Sequence, residues 1–175
     1  MGHPVLKEWA REITDLADPE LRRLVEDMVE TMTDANGAGL AAPQVHESIR
    51  LVVFQAAAGR ADPGLSEAEA FDHTAPLTVL VNPAIEILSD EMEGGWEGCL
   101  SVPGLRGWVE RPSHIRYRGT GLDGQPIERI AKGFHARVVQ HECDHLDGML
   151  YPQRMTDLTK LIFESETKHW LEQDD

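Results

Sequence analysis

Residues 140–148 read QHECDHLDG. His141 and His145 stand four apart, and on an α-helix such a pair lies on one face, one turn apart, so both imidazoles reach a single metal ion. Glu142 sits beside the first of them. The spacing predicts a helix over 133–146, with Gly148 just past its end as a left-handed cap. Two imidazoles do not complete a catalytic metal site, which takes three protein ligands and keeps one position for water. A third ligand is required.

The extended metzincin pattern, HExxHxxGxxH, places that ligand three residues after the glycine. Gly148 is in place, but the ligand position holds Tyr151, a poor substitute for an imidazole. His3, His46, His73, His114, His135 and His169 are scattered singly. Cys143 lies two residues from each motif histidine, which turns it about 160–200° away around the helix. Cys99 sits in EGGWEGCLSVPG, a glycine-rich stretch where backbone passes close to a ligand. A thiolate there, with the two imidazoles, makes a Cys-His-His set with an open fourth position. Spacing alone does not prove it, since the two segments lie about forty residues apart.

The rest of the chain frames this centre. Its 175 residues suit one domain spanning 1–175, and 16 Lys and Arg against 31 Asp and Glu give a net charge of −15. That field repels phosphate backbones, so no specific nucleic-acid binding is expected. No apolar run approaches ~18 residues, so no membrane span is expected. No charged-then-apolar leader opens the chain, and two cysteines make no disulfide framework; a cytoplasmic monomer is the expectation.

Asp18-Pro19-Glu20 is a helix start, with a capping residue, proline at the first helical position and an acid near the positive end of the dipole. Leu21, Leu24, Val25, Met28, Val29 and Met32 follow at helical spacing to about residue 33. Ile49–Phe54 and Thr78–Val81 read as buried strands, while Ala84–Leu88 and His114–Arg118 alternate. GRADPGLSEAEAFDHTAP, at 59–76, has loop composition and reads as a surface excursion. Helices and strands in this order predict an α+β fold.

GAGLAAPQ, at 37–44, formally matches a dinucleotide-binding fingerprint, which requires a strand before it and a helix after it. Here a helix precedes it and Pro43 stands where a helix should begin. A glycine loop offering backbone groups to an extended ligand, with Gln44 as a side-chain donor, is the better account.

GAGLAAPQ, EGCLS and QHECDHLDG, in that order and spacing, resemble the three signature motifs of the peptide deformylases. Gly2-His3-Pro4-Val5-Leu6 is similar to that family's G-D-P-x-L segment. The resemblance implies antiparallel strands packed around the HExxH helix, with an N-terminal and a C-terminal helix. It implies removal of the formyl group from the formylmethionine of new polypeptides, in transient proximity to the ribosome, with iron(II) as the usual metal and zinc, nickel or cobalt as substitutes. Residue by residue, it makes Cys99, His141 and His145 the metal ligands and Glu142 the general base. Gln44 and the Leu100 N–H would stabilise the oxyanion, and Gly39 and Gly98 would bond the peptide backbone. Ala38, Glu97, Phe134 and Val138 would surround the methionine side chain, and Arg106 would meet substrate beyond it. Ala38 departs from the larger aliphatic common at its position. The tail from Thr156 has six acids against two bases, which argues against its docking on ribosomal RNA.

The chemistry agrees with those roles. A divalent ion lowers the pKa of bound water and polarises a carbonyl, and a carboxylate beside it shuttles the proton. Asp144 is either a partner of a nearby base such as Arg111 or a plain surface acid. An amidase or metallopeptidase with another acyl specificity shares the same centre. A closed structural site would need neither Glu142 nor Gln44.

Overall fold

The computed structural model describes residues 1–57 and 66–171. Helix α1 (Pro19–Asp34) begins as its sequence predicts, with the Asp18 carboxylate accepting from the Glu20 N–H at 2.9 Å. Its apolar stripe buries Leu21, Val25, Met28 and Met32 against Leu40, Leu51, Val53 and Val81. Full burial of each such side chain stabilises by roughly 2 kcal/mol.

Five strands form the larger sheet: β1 (Gly39–Ala41), β2 (Leu51–Ala56), β3 (Ala75–Ile87), β6 (His114–Thr120) and β7 (Pro126–Lys132), in the order β1-β2-β3-β6-β7. The smaller sheet is a long hairpin, β4 (Met92–Cys99) with β5 (Val102–Pro112), edged by β8 (Leu161–Phe163). All ladder pairings are antiparallel. No described helix is long and apolar enough to cross a membrane.

The two strands predicted over 78–88 are one. Between Val81 and Ala84 the register with β6 shifts, and Asn82 adopts φ +50°. The Asn82 side chain accepts from the Ile13 N–H at 2.9 Å and donates to the Ile13 carbonyl at 2.8 Å, tying the N-terminal segment to the bulge. The excursion predicted over 59–76 is not all loop: Glu67–His73 forms α2 and β3 opens at Ala75, while 58–65 lie outside the described residues. Among the described residues the C-terminal helix, α4, covers Lys168–Leu171.

Helix α3 (Gly133–Leu146) runs between the two sheets. Val139, Cys143 and Leu146 pack with Val52 and Phe54 of the larger sheet. The opposite side holds the hairpin through polar bonds, among them Gln140 Nε2 to the Pro112 carbonyl at 2.9 Å. Past Asp147, Gly148 at φ +72° reverses the chain: Met149 N–H bonds the Asp144 carbonyl and Gly148 N–H that of His145. This is a Schellman cap, and it satisfies carbonyls that the last turn would otherwise orphan.

Candidate metal centre

Phe134, Arg137, Val138, His141, Glu142 and His145 lie at helical spacing on one stripe of α3, and all but His145 line a cavity of about 580 Å³. The turn joining β4 to β5 closes one side of it, and residues 35–39 with Gln44 close another. Cys143 faces the opposite core, as the helical rotation requires.

Cys99 Sγ and one ring nitrogen each of His141 and His145 lie within 4.8 Å of one another. Cys99 Sγ is 3.3 Å from His145 Nε2. The His141 Nδ1 proton goes to Glu97 Oε2 at 2.8 Å, which leaves Nε2 for the shared centre. Burial alone would lower the His141 pKa, but its bonds to Cys99 and Glu97 outweigh that and raise it to about 10. Burial, with His141 beside it, pushes His145 down to about 3. A thiol and two imidazoles with their donor atoms gathered this closely, and one ring fixed through its Nδ1 proton, fit a divalent ion. A thiolate with two imidazoles suits iron, zinc, cobalt or nickel alike.

Glu97 is the hub behind this set. Burial raises its pKa, but the guanidinium of Arg111 at 2.6 and 2.9 Å and the His141 ring outweigh it and hold the carboxyl well below the usual range. Arg137 Nη1 adds a bond at 2.9 Å. Arg111 also donates to Asp144 at 2.9 Å, and Asp144 binds Arg154 as well. Asp144 is therefore a buried partner of Arg111 and not a surface acid. Glu97, expected around the methionine side chain, does line the cavity, yet its carboxylate is taken up by Arg111, Arg137 and His141.

Glu142 is buried, and its Oε2 has no hydrogen-bond partner among the described residues. Burial pushes its carboxyl up to about 7, with the neighbouring His141 charge pulling the other way. Gln44 sits on the short turn after β1, where its Oε1 accepts from the Ala41 N–H at 2.9 Å. That bond fixes the amide so that Nε2 points at Cys99 Sγ (3.6 Å) and Ser101 Oγ (3.3 Å). Leu100 follows Cys99 at the exposed turn on the cavity rim. Ala38, Gly39, Gly98, Phe134 and Val138 line the same cavity. Arg106 lines it too, but its guanidinium binds Glu164 Oε1 at 2.9 and 3.2 Å.

Three neighbours escape the sequence reading. Ser101 donates its N–H to Cys99 Sγ at 3.4 Å; its place in EGCLS was the available signal. Tyr151, set aside as a ligand, stacks on the His141 ring at 6.3 Å between centroids. Arg137 lies on the α3 stripe between Phe134 and Val138, and the helical period would have named it.

A sequence profile of the polypeptide deformylase family matches residues 1–161. Peptide deformylase 1 of Bordetella pertussis is 57% identical over 162 residues, 91% of this chain and 87% of that protein. Peptide deformylase 2 of Ralstonia nicotianae is 52% identical over 165 residues, 93% of this chain and 88% of that protein. Among solved structures, a Met-Ala-Ser-bound class I type b peptide deformylase from Acinetobacter baumannii superposes with a TM-score of 0.76 at 38% identity, covering 89% of this chain and 94% of that one. The peptide deformylase of Thermotoga maritima gives 0.75 at 35% identity, again covering 89% and 94%.

Proposed function

This chain belongs to the polypeptide deformylase family, and from that premise we propose how its own residues carry out the reaction. The protein is a peptide deformylase, hydrolysing the formyl amide of N-terminal formylmethionine to formate and a free amine. The observation that carries the site assignment is that Cys99 and His141 border the same cavity as Glu142 and Gln44.

Cys99, His141 and His145 would hold the ion, with Glu97 fixing His141 by its Nδ1 proton. When bound, a divalent ion lowers the pKa of water and polarises the formyl carbonyl. Glu142 takes the proton of the attacking water and hands it to the leaving amine. Gln44 Nε2 and the Leu100 N–H donate to the oxyanion as it forms. Gly39 and Gly98 bond the peptide backbone, and Ala38, Phe134 and Val138 receive the methionine side chain. Arg106, held by Glu164, borders the path of the following residues.

The ligand set accepts iron, zinc, nickel and cobalt alike, and it is the family resemblance that makes iron(II) the working ion in this reading, with the other three as substitutes. The enzyme acts as a single-domain monomer in the cytoplasm on chains emerging near the ribosome. These readings rest on the family resemblance and the net charge.

Formate release from a formyl-Met peptide by protein prepared anaerobically with iron(II), beside acetyl-Met and unblocked peptides, tests the reading. Turnover of the formyl peptide alone supports it. Turnover of the acetyl peptide at a matching rate would assign the centre to another acyl group.

A further inference from the structure

The cavity-facing stripe of α3 is apolar at Phe134 and Val138, but the position between them is Arg137, a buried arginine. Its guanidinium lies flat over the Gly95 backbone: a Cβ at Gly95 would come within 2.8 Å of Arg137 Cζ and 2.9 Å of both Nε and Nη2. The absent side chain at 95 is what lets the arginine in. Nη1 donates to Glu97 Oε1 at 2.9 Å and to the Val109 carbonyl at 2.8 Å, and Nη2 donates to the Glu93 carbonyl at 2.6 Å. A guanidinium carries five N–H donors. With three engaged by those acceptors, the Nε–H and the second Nη2–H have no acceptor among the described residues.

We propose that Arg137 gives the methionine pocket a hydrogen-bond-donating wall, so that the enzyme also deformylates chains whose first residue is methionine sulfoxide. This rests on the deformylase reading and on the Phe134–Val138 pocket holding the substrate's side chain. A thioether sulfur is a weak acceptor, whereas oxidation makes the side chain polar and chiral. A wholly aliphatic pocket would desolvate the sulfoxide oxygen without recompense; one with a spare guanidinium N–H satisfies it. Arg137 is ion-paired with Glu97, which it shares with Arg111, so the wall offers donors from a cation that already has a counter-charge beside it. The chemistry is unchanged: water adds to the formyl carbonyl, the C–N bond breaks, formate leaves, and the S=O group takes no part.

The test compares kcat/KM for three peptides differing only in the first residue: formyl-Met, formyl-Met sulfoxide and formyl-norleucine, the isostere without an acceptor. In the wild type the sulfoxide should stay within about tenfold of methionine, and norleucine should fall below methionine, since a site with a committed donor discriminates against a group that cannot accept. In Arg137→Met the sulfoxide should lose ~10-fold or more relative to methionine, and the norleucine deficit should close. Arg137→Lys, which keeps a cationic donor against Glu97, should retain part of the sulfoxide activity if the methionine variant proves too unstable to assay. Turnover of formyl-Met with a sulfoxide rate more than ~10-fold lower in the wild type overturns the proposal and leaves the deformylase reading standing. No turnover of formyl-Met overturns both.

Discussion

Glu97 Oε2 accepts the Nδ1 proton of His141 at 2.8 Å, while the other carboxylate oxygen is held by Arg111 and Arg137. The imidazole is thereby locked in one tautomer and one orientation, with Nε2 directed at Cys99 and His145. A carboxylate fixed by two arginines is a rigid support, so the geometry of the ion's site is set by the β4–β5 hairpin as much as by α3.

Glu97→Gln should therefore weaken metal retention by ~10- to 100-fold, the usual effect of removing such a partner. It should also destabilise the fold by roughly 3–5 kcal/mol, since Arg111 and Arg137 lose a buried counter-charge. Metal content after dialysis against a graded chelator, alongside urea unfolding, measures both. Wild-type retention in the variant would show that His141 is oriented by something else.

The glycine loop runs close against the helix where Gly39 meets the Glu142 side chain. A Cβ at Gly39 would lie 2.6 Å from Glu142 Cδ. Gly39→Ala should displace the carboxylate and lower kcat by ~10² or more, with metal content and melting temperature little changed, because a misplaced catalytic group costs that much. An active alanine variant would mean that the loop yields and Glu142 does not need this contact.

His135 offers a pH signature away from the centre. It is fully buried, donates Nδ1–H to the Asp72 carbonyl at 2.9 Å and lies 3.2 Å from the Tyr117 hydroxyl. Burial lowers its pKa to about 4, against an ordinary 6.5. Because the folded value is depressed, its contribution is present above pH 6.5 and is lost as pH falls towards 4, while the unfolded chain takes up the proton. Between pH 7 and pH 5 the wild type should lose roughly 2 kcal/mol relative to His135→Gln. Parallel stability curves for the two proteins would contradict this.

The helices and their faces were legible because their signals are local. Asp18-Pro19-Glu20 caps α1 through its own side chain, and Gly148 ends α3 with a backbone geometry that glycine tolerates best. The β4–β5 hairpin was not legible as strands. Gly94, Gly95, Gly98, Gly104 and Gly107 carry no strand propensity, and their reason lies elsewhere in the chain: Trp108 covers Gly94, Arg137 covers Gly95, and Tyr151 with Met155 covers Gly107. Asn82 and Pro83 read as a break between strands because a bulge pinned to Ile13 cannot be seen without the N-terminal segment in place. The Cys-His-His set was legible through its motifs, and Glu97 was placed at the cavity it lines, but its bonds to Arg111, Arg137 and His141 were not legible because nothing near it in sequence names those partners.

In the proposed mechanism Glu142 moves the proton at a centre built by Cys99, His141 and His145. Formate release by Glu142→Ala, with metal content measured on the same sample, tests it most directly. The expected result is full metal occupancy with kcat lower by ~10² or more. A variant that keeps both its metal and its activity would contradict the account.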